Sequence, residues 1–577
     1  MYHALDSEVP DAFQAYQALR YVDVEIPHIP VRAVGLLDAG YYLLSTTNWQ
    51  PYDWSLNNVA MAEVLHTTLA SWQAGRPEEA FHLWKSALLE SMYLGSSPGN
   101  FQQVSFYDTY RGELYRDFAD PIGMASRSLV EGLFGIVPDA LHGTLRIRPG
   151  LPQDWNEAAL TIPDVAFDFR RQGSRDTYTI TPTFAKPLRL QLQVQARTTG
   201  ETTVTVNGKP VQWRNVDTAV GRPIIEISSE PTAKYVVEIQ WHGDAPDTAT
   251  TKAQYVPNAA LSTRFAHAAI SKVFDPQQVL RQPKTTTNEL TAQVAGEAGG
   301  RTAFVQLRQG GLTWWEPLAI NVPRPVAAPQ VAAPAAAKWE RVDLSCHFND
   351  QVTRIFQNEY RSPRPLGPTL QLPTQGIGNW CYPLTQAVID DAGLRQLADA
   401  KNELKLPAGV PLRTPGAAGS KNVLFVSQWD NYADRATVPL AGRATHAYLL
   451  MAGSTNPMQS QLVNGEVVVT YTDGTTDALP LRNPENWWPI EQDYLNDGFA
   501  FQTGAPQPLR VHLKTGLITR EFNQYTSIKG FSTRAIDGGA ATVLDLPLNP
   551  KKKLRSLTVR ALANDVVIGL MSVTLAR

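Results

Sequence analysis

The chain has 577 residues, of which 43% are hydrophobic and 18% charged, and its net charge is −3. That is more chain than one hydrophobic core supports, so three or four domains are expected. The near-neutral charge gives no electrostatic case for nucleic acid or an anionic membrane as partner, and no stretch reaches the roughly 18 apolar residues of a membrane span.

The first residues, "MYHALDSEVPDAFQAYQALR", show no charged segment followed by an apolar one, so no signal peptide is read. A helical pattern begins almost at once, as in the middle of a longer protein. Val34, Leu37, Tyr41 and Leu44 form a weak helical stripe. From Met61 the apolar residues Met61, Val64, Leu65, Leu69 and Trp72 form a strong one, with Ser55 placed to cap its start and Gly75 to end it. Pro77 opens the next helix where a missing N–H costs nothing, with Glu78 and Glu79 in the first turn. Ala80, Phe81, Trp84, Ala87 and Leu88 give that helix its apolar face, so residues 55–94 are predicted to form a helical hairpin turning at Gly75–Arg76–Pro77. Ile122, Ala125, Leu129 and Leu133 predict a further helix. Each long helix spans on the order of 25–30 Å. The tight turn therefore lies at one end, and the longer connections 45–54 and 95–120 share the other.

Beyond Gly135 the pattern changes. "TYTITPTF", "LRLQLQVQA" and "TTVTVNGKPVQW" alternate with period two, and Asn207–Gly208 is a hairpin signal. Five segments follow: helical hairpins over 1–139, a β-domain over 140–245, a small β-sandwich over 246–322, a Pro/Ala linker over 323–338 and a jelly-roll-like β-sandwich over 339–577.

Phosphate-loop, dinucleotide, zinc and nucleophile-elbow motifs are absent, and His28, His66 and His82 read as surface or packing residues. Cys346 and Cys381 form no metal pattern and are either buried thiols or a pair. Carboxylates remain. The shared end gathers Asp53, Asp108, Glu113, Asp117 and Asp120 among aromatic residues, and hydrolysis of a glycosidic bond needs two carboxyl groups of unlike pKa. Asp120, Asp108, Glu113 and Asp117 are the catalytic candidates. Asp120 also suits the N-terminus of the helix that Pro121 opens, and Glu113 and Asp117 have Arg111 and Arg116 as pairing partners. Trp49, Tyr52, Asp53, Trp54, Asn57, Tyr107 and Arg111 are candidates for holding a sugar. In the distal sandwich the exposed-looking Trp487–Trp488, with Trp429 in "SQWDNY", is the candidate glycan platform, against a purely bracing role.

"WSLNNVAMAEVLHTTLASWQAGRPEEAFHLWKSALLESMY" followed by "DFADPIGMASRSLVEGLFGIVPDALHGTLRIRPGLPQDW" resembles the closing section of an (α/α)6-barrel glycosidase, similar to the α-L-fucosidase and α-L-rhamnosidase type enzymes of the six-hairpin superfamily. It also resembles an uncharacterised bacterial family among glycan-degrading proteins. The matching elements are Gly135–Ile136–Val137–Pro138–Asp139 and the segment from Leu145 to Trp155. In such fucosidases an Asp just before the last helix helps activate water, and Asp120 is nearest to it in register. The resemblance implies a partial α/α toroid followed by β-sandwich domains. Four or five helices are read where a full barrel has twelve, and the hairpins that carry the proton-donating Glu are missing. The implied function is the C-terminal portion of a glycoside hydrolase acting on polysaccharide or oligosaccharide side chains, incomplete for catalysis as given. Carbohydrate is the expected partner, no cofactor or metal is expected, and the open helical edge predicts self-association through the first 50 residues. The alternative is a non-catalytic carbohydrate-binding or scaffold protein. A polysaccharide lyase, using Tyr107 and Arg111, is the third reading. Location is not readable from the chain; a full-length relative is expected to be periplasmic or extracellular.

Overall fold

The computed structural model describes residues 1–37, 40–47, 58–94, 104, 106–108, 113–115, 119–323, 337–357, 387–398, 402–428, 432–455, 462–494, 507–528, 532–564 and 566–577. The chain forms two compact units, Met1–Thr46 with Val59–Pro325, and Thr47–Asn58 with Val326–Arg577.

The partial α/α toroid is not what the chain builds. Strands take 43% of it and helices 15%, and among the described residues there are six α-helices: α1 (Tyr2–Asp6), α2 (Ala12–Glu25), α3 (Met61–Gln73), α4 (Pro77–Leu88), α5 (Asp120–Arg127) and α6 (Ala392–Leu397). The α3–α4 hairpin forms, with Gly75 at φ +79° and Pro77 in the first turn of α4. Its start differs from expectation: Asn58–Ala60 is a short strand, and Ala60 precedes α3. Among the described residues of Val34–Leu44 no helix forms. Val34 and Leu37 are fully exposed or nearly so, and Tyr42–Leu44 instead pairs antiparallel with His28–Pro30. The aromatic and aliphatic residues there suit a pleated strand as well as a helix.

α2 explains why no ring of hairpins closes. Asp11 caps it in a reciprocal capping box with Gln14. Its Phe13 and Tyr16 then pack on a sheet, with ring centroids 4.8 and 6.0 Å from Phe304, and Phe13 lies 5.1 Å from Trp315. Its other side, Ala15 and Leu19, meets Leu5 and Ala70, so α2 lies between the hairpin and a sheet rather than beside a further hairpin.

Unit 1 holds two sandwiches. In the first, a six-stranded sheet runs in the order Lys209–Pro210, Thr203–Val206, Tyr235–Gln240, Arg175–Pro182, Val165–Gln172, Glu157–Ile162. It faces a five-stranded sheet of Trp213–Asn215, Ile224–Ser229, Arg189–Gln195, Thr144–Ile147 and Ile136–Asp139. Phe167, Ile180, Leu190, Leu192 and Val237 fill the core, which continues into Trp72 and Ala80 of the hairpin. Asn207 and Gly208, both at positive φ, make the expected tight turn. The second sandwich sets Ala260–Arg264, Glu289–Val294 and Leu280–Thr285 against Ala269–Phe274, Gly299–Gln309 and Leu312–Val322, around Leu290, Val305, Leu307 and Trp314.

Unit 2 is built on the strand Val566–Ala576, buried at all 11 positions. Both faces of its sheet are covered. One packs with Val467, Val469, Leu557 and Val559 of a four-stranded sheet; the other packs with Val352, Leu394 and Leu412. Continuous burial is why that run is apolar throughout rather than alternating.

Trp72 is enclosed by glycines. A Cβ on Gly132 or Gly150 would run into its ring. Gly150→Ala is therefore expected to destabilise unit 1 by about 1–3 kcal/mol. Gly123→Ala, in open space on α5, should be neutral or stabilising by up to about 1 kcal/mol. Thermal melts of the two variants check this, and equal melts would show that the indole is loosely held.

Candidate functional site

At the far end of the hairpin from Gly75, α4 runs on into a π-helical turn, Leu89–Leu94. The Val104 N–H donates to the carbonyl of Ser91 at 3.0 Å, which brings the returning chain back beside Glu90. Two residues later Phe106–Asp108 pairs antiparallel with Glu113–Tyr115, and Asn58–Ala60 completes a three-stranded sheet. The register sets Asp108 opposite Glu113, Tyr107 opposite Leu114 and Phe106 opposite Tyr115. Opposed positions on an antiparallel ribbon are its closest cross-strand neighbours. Two catalytic candidates thus meet as backbone partners, which the sequence did not predict.

Glu90 was not singled out from the sequence. Its carboxyl is half-buried, and burial alone pushes its pKa above the ordinary glutamate range. Desolvation of this kind keeps a carboxylic acid protonated to higher pH, as a general acid requires. Asp120 is exposed in the first turn of α5, and the N-cap position falls on Ala119 rather than on Asp120. Trp49, Tyr52, Asp53, Trp54, Asn57, Arg111, Asp117 and Trp429 lie outside the described residues.

In unit 2 the exposure expected of Trp487–Trp488 is not found. Their relative exposures are 0% and 2%. Trp487 joins the sandwich core, and Trp488 donates its indole N–H to the Pro484 carbonyl at 2.5 Å and meets Tyr494 edge-on at 5.7 Å. A ring so enclosed offers no face for a sugar arriving from solvent. Cys346 is exposed, and Cys381 lies outside the described residues.

Beside the tryptophans lies a buried polar group. Arg510 donates to Asp493 Oδ1 at 2.9 Å, to the Pro489 carbonyl at 2.9 Å and to the Ala540 carbonyl at 2.8 Å. Tyr525 donates its hydroxyl to Asp493 Oδ2 at 2.9 Å, and Arg534 donates to the Tyr525 oxygen at 2.9 Å. These bonds fasten the 483–494 loop to the strand Leu509–His512. Burial, then Arg510, lowers the pKa of His512 to about 4, so it is neutral at physiological pH. Burial raises that of Glu491 to about 7; its Oε1 accepts from Ser454 at 3.1 Å, while Oε2 has no partner among the described residues.

Among the described residues no group of three or more His, Cys, Asp or Glu is placed to hold a metal ion, and no helix is long and apolar enough to cross a membrane.

No family model matches this chain, and no curated protein matches it. Among solved structures, a glycoside hydrolase is 12% identical over 52% of this chain and 58% of its own, with a TM-score of 0.20. A GH127 β-L-arabinofuranosidase from Geobacillus stearothermophilus T6 is 10% identical over 47% and 51%, with a TM-score of 0.18. The mixed-linkage glucan utilization protein SGBP-B of Bacteroides ovatus, in complex with a heptasaccharide, is 9% identical over 74% and 98%, with a TM-score of 0.13. The chain thus spans between half and three-fifths of the first two. Likeness at this level carries neither activity nor ligand to this protein.

The raised pKa of Glu491 has a stability consequence. Its folded value lies above the ordinary one near 4.5. Folding therefore takes up a proton, and stability falls as pH rises from about 4.5 through 7. Glu491→Gln should melt with the wild type at pH 5 and above it at pH 8. A variant that melts lower at pH 8 would show the charged carboxylate to be stabilising.

Proposed function

We propose that this protein acts in glycan degradation as a glycoside hydrolase, with the end of unit 1 opposite the Gly75 turn handling the saccharide. The observation that carries this reading is the register of the short ribbon, which makes Asp108 and Glu113 direct partners and begins beside the desolvated Glu90. A hydrolase needs one carboxyl held protonated and another ionised. Glu90 has the environment of the acid. Asp108 and Glu113 supply candidates for base or nucleophile, and Asp120, the residue carried over from the resemblance, is the candidate for holding water or a sugar hydroxyl. Tyr107 is the candidate for binding the ring.

Release of sugar from arabinose-, fucose- and rhamnose-decorated polysaccharides tests the proposal, with binding measured on the same set. If Asp108 or Glu113 acts on the reacting bond, Asp108→Asn or Glu113→Gln should lower turnover by roughly 10²–10⁴-fold with little change in melting temperature. Glu90→Gln should remove the alkaline limb of the pH profile, since a general acid with a raised pKa loses activity as pH rises through it. Saccharide binding without turnover, lost in the Asp108 and Glu113 variants, would make this end a binding surface. Neither binding nor turnover on any substrate would overturn the glycan assignment.

A further inference from the structure

A cavity lies in unit 1 at the Gly75 end of α3. The 13 residues of α3 place it about 20 Å from Asn58–Ala60. Its volume is about 490 Å³, within the range of small-molecule sites. Trp72, Val220 and Ile224 give it apolar walls, and Gln73 and Gln193 bring amides.

Its lining carries four carboxylates, Asp6, Glu8, Asp11 and Glu131, against three guanidiniums, Arg127, Arg146 and Arg148. Asp6 accepts from both terminal nitrogens of Arg127 at 2.8 and 2.7 Å, and Glu131 pairs with the same guanidinium at 2.9 Å. Glu8 pairs with Arg146 at 3.3 Å, and Asp11 accepts from the Gln14 N–H at 2.8 Å. Asp6, Glu8 and Glu131 are thus each paired with a guanidinium, whereas Asp11 caps α2 and meets no cation among the described residues. Arg148 has no such pair: it donates from Nη1 to the Gln73 carbonyl at 3.2 Å, and no described carboxylate lies within ion-pair distance. Its backbone is anchored. The Arg148 N–H bonds to the Gly135 carbonyl at 2.9 Å, and a Cβ on Gly75 would come within 2.9 Å of its Nη2. The guanidinium thus occupies the space that a side chain at Gly75 would need. Burial, followed by repulsion from Arg146, lowers its pKa to about 10, so it remains a cation at neutral pH.

We propose that this cavity is a binding site for a small hydroxylated organic anion, a sugar acid by chemical class, whose carboxylate is received by Arg148. A guanidinium presents a planar fork that matches a carboxylate with two parallel N–H···O bonds. The volume exceeds what a bare ion needs, and Gln73 and Gln193, whose NH2 groups donate to Asp6 and Glu226, offer their amide oxygens to the hydroxyls of a larger body. The site stands apart from the proposed glycan-handling end and does not depend on it.

Calorimetric titration of the 577-residue protein with sodium glucuronate, with glucose as neutral control and sodium sulfate as bare anion, tests this. Glucuronate should bind saturably, sulfate more weakly and in competition with it, and glucose not at all. Arg148→Met should weaken glucuronate by about tenfold or more, the loss of a charge-assisted pair. Arg148→Lys should fall between, keeping charge but not the fork. Because Arg148 also binds the C-terminal carbonyl of α3, the Met variant can lose stability. The wild type then serves: glucuronate, but not glucose, should slow phenylglyoxal modification of Arg148 while leaving exposed Arg170 unchanged. No saturable glucuronate binding, sulfate as tight as glucuronate, or no protection of Arg148 would each overturn the proposal.

Discussion

The indole of Trp72 lies where the helical hairpin meets the first β-sandwich, and its fit is set by what its neighbours lack. Gly132 and Gly150 bear no side chain where its ring passes, and its N–H donates to the Gly150 carbonyl at 3.0 Å. Around it Ala80, Leu133, Phe134, Leu145 and Ile147 form one core with the sandwich. A buried Trp brings 150–250 Å² of surface out of water, which outweighs anything a lone helical hairpin gains from its own hydrogen bonds. α3 and α4 are therefore a layer on a β-domain rather than one spoke of a ring. The same anchoring orders the two ends of the hairpin, with Arg148 seated over Gly75 at one and the Asp108–Glu113 ribbon at the other.

Much of this was legible where a local signal and its tertiary use coincide. The stripe Val64–Leu65–Leu69–Trp72, the Gly75 stop and the Pro77 start are local rules that the fold keeps. Asn207–Gly208 likewise needed only two residues at positive φ. Failures came where one pattern serves two structures. Val34, Leu37, Tyr41 and Leu44 match a helical period, but strand pairing with His28–Pro30 claims Tyr42–Leu44, and the first two are left in water. Likewise α2 gave no sign that its partner would be Phe304, 291 positions after Phe13. The toroid expectation inherited both errors.

The candidate site was legible in residue type and not in arrangement. Three-residue strands are too short to show a period, so the opposition of Asp108 and Glu113 could not be read. Glu90 differs from other surface-helix glutamates only in its burial, which sequence does not report. Arg146 and Arg148 alternate in "RIRPG", a visible strand pattern, but the absence of a carboxylate beside Arg148 belongs to the fold. In unit 2, Trp487–Trp488 was expected to be a surface pair, but the polar groups beside the rings are themselves buried: Arg510 and Asp493 pair at 2.9 Å. Breaking such a pair costs more than forming it gains, so its role is to fix the loop, and the tryptophans are fixed with it.

Native-state hydrogen exchange across unit 1 tests the anchoring most directly. If Trp72 joins the hairpin to the sandwich as one core, amides of α3 and α4 should open with the same free energy as those of Val165–Gln172 and Arg175–Pro182, and Trp72→Phe should lower both together. Exchange of the hairpin through its own opening, several kcal/mol below the sandwich and unmoved by Trp72→Phe, would contradict the account.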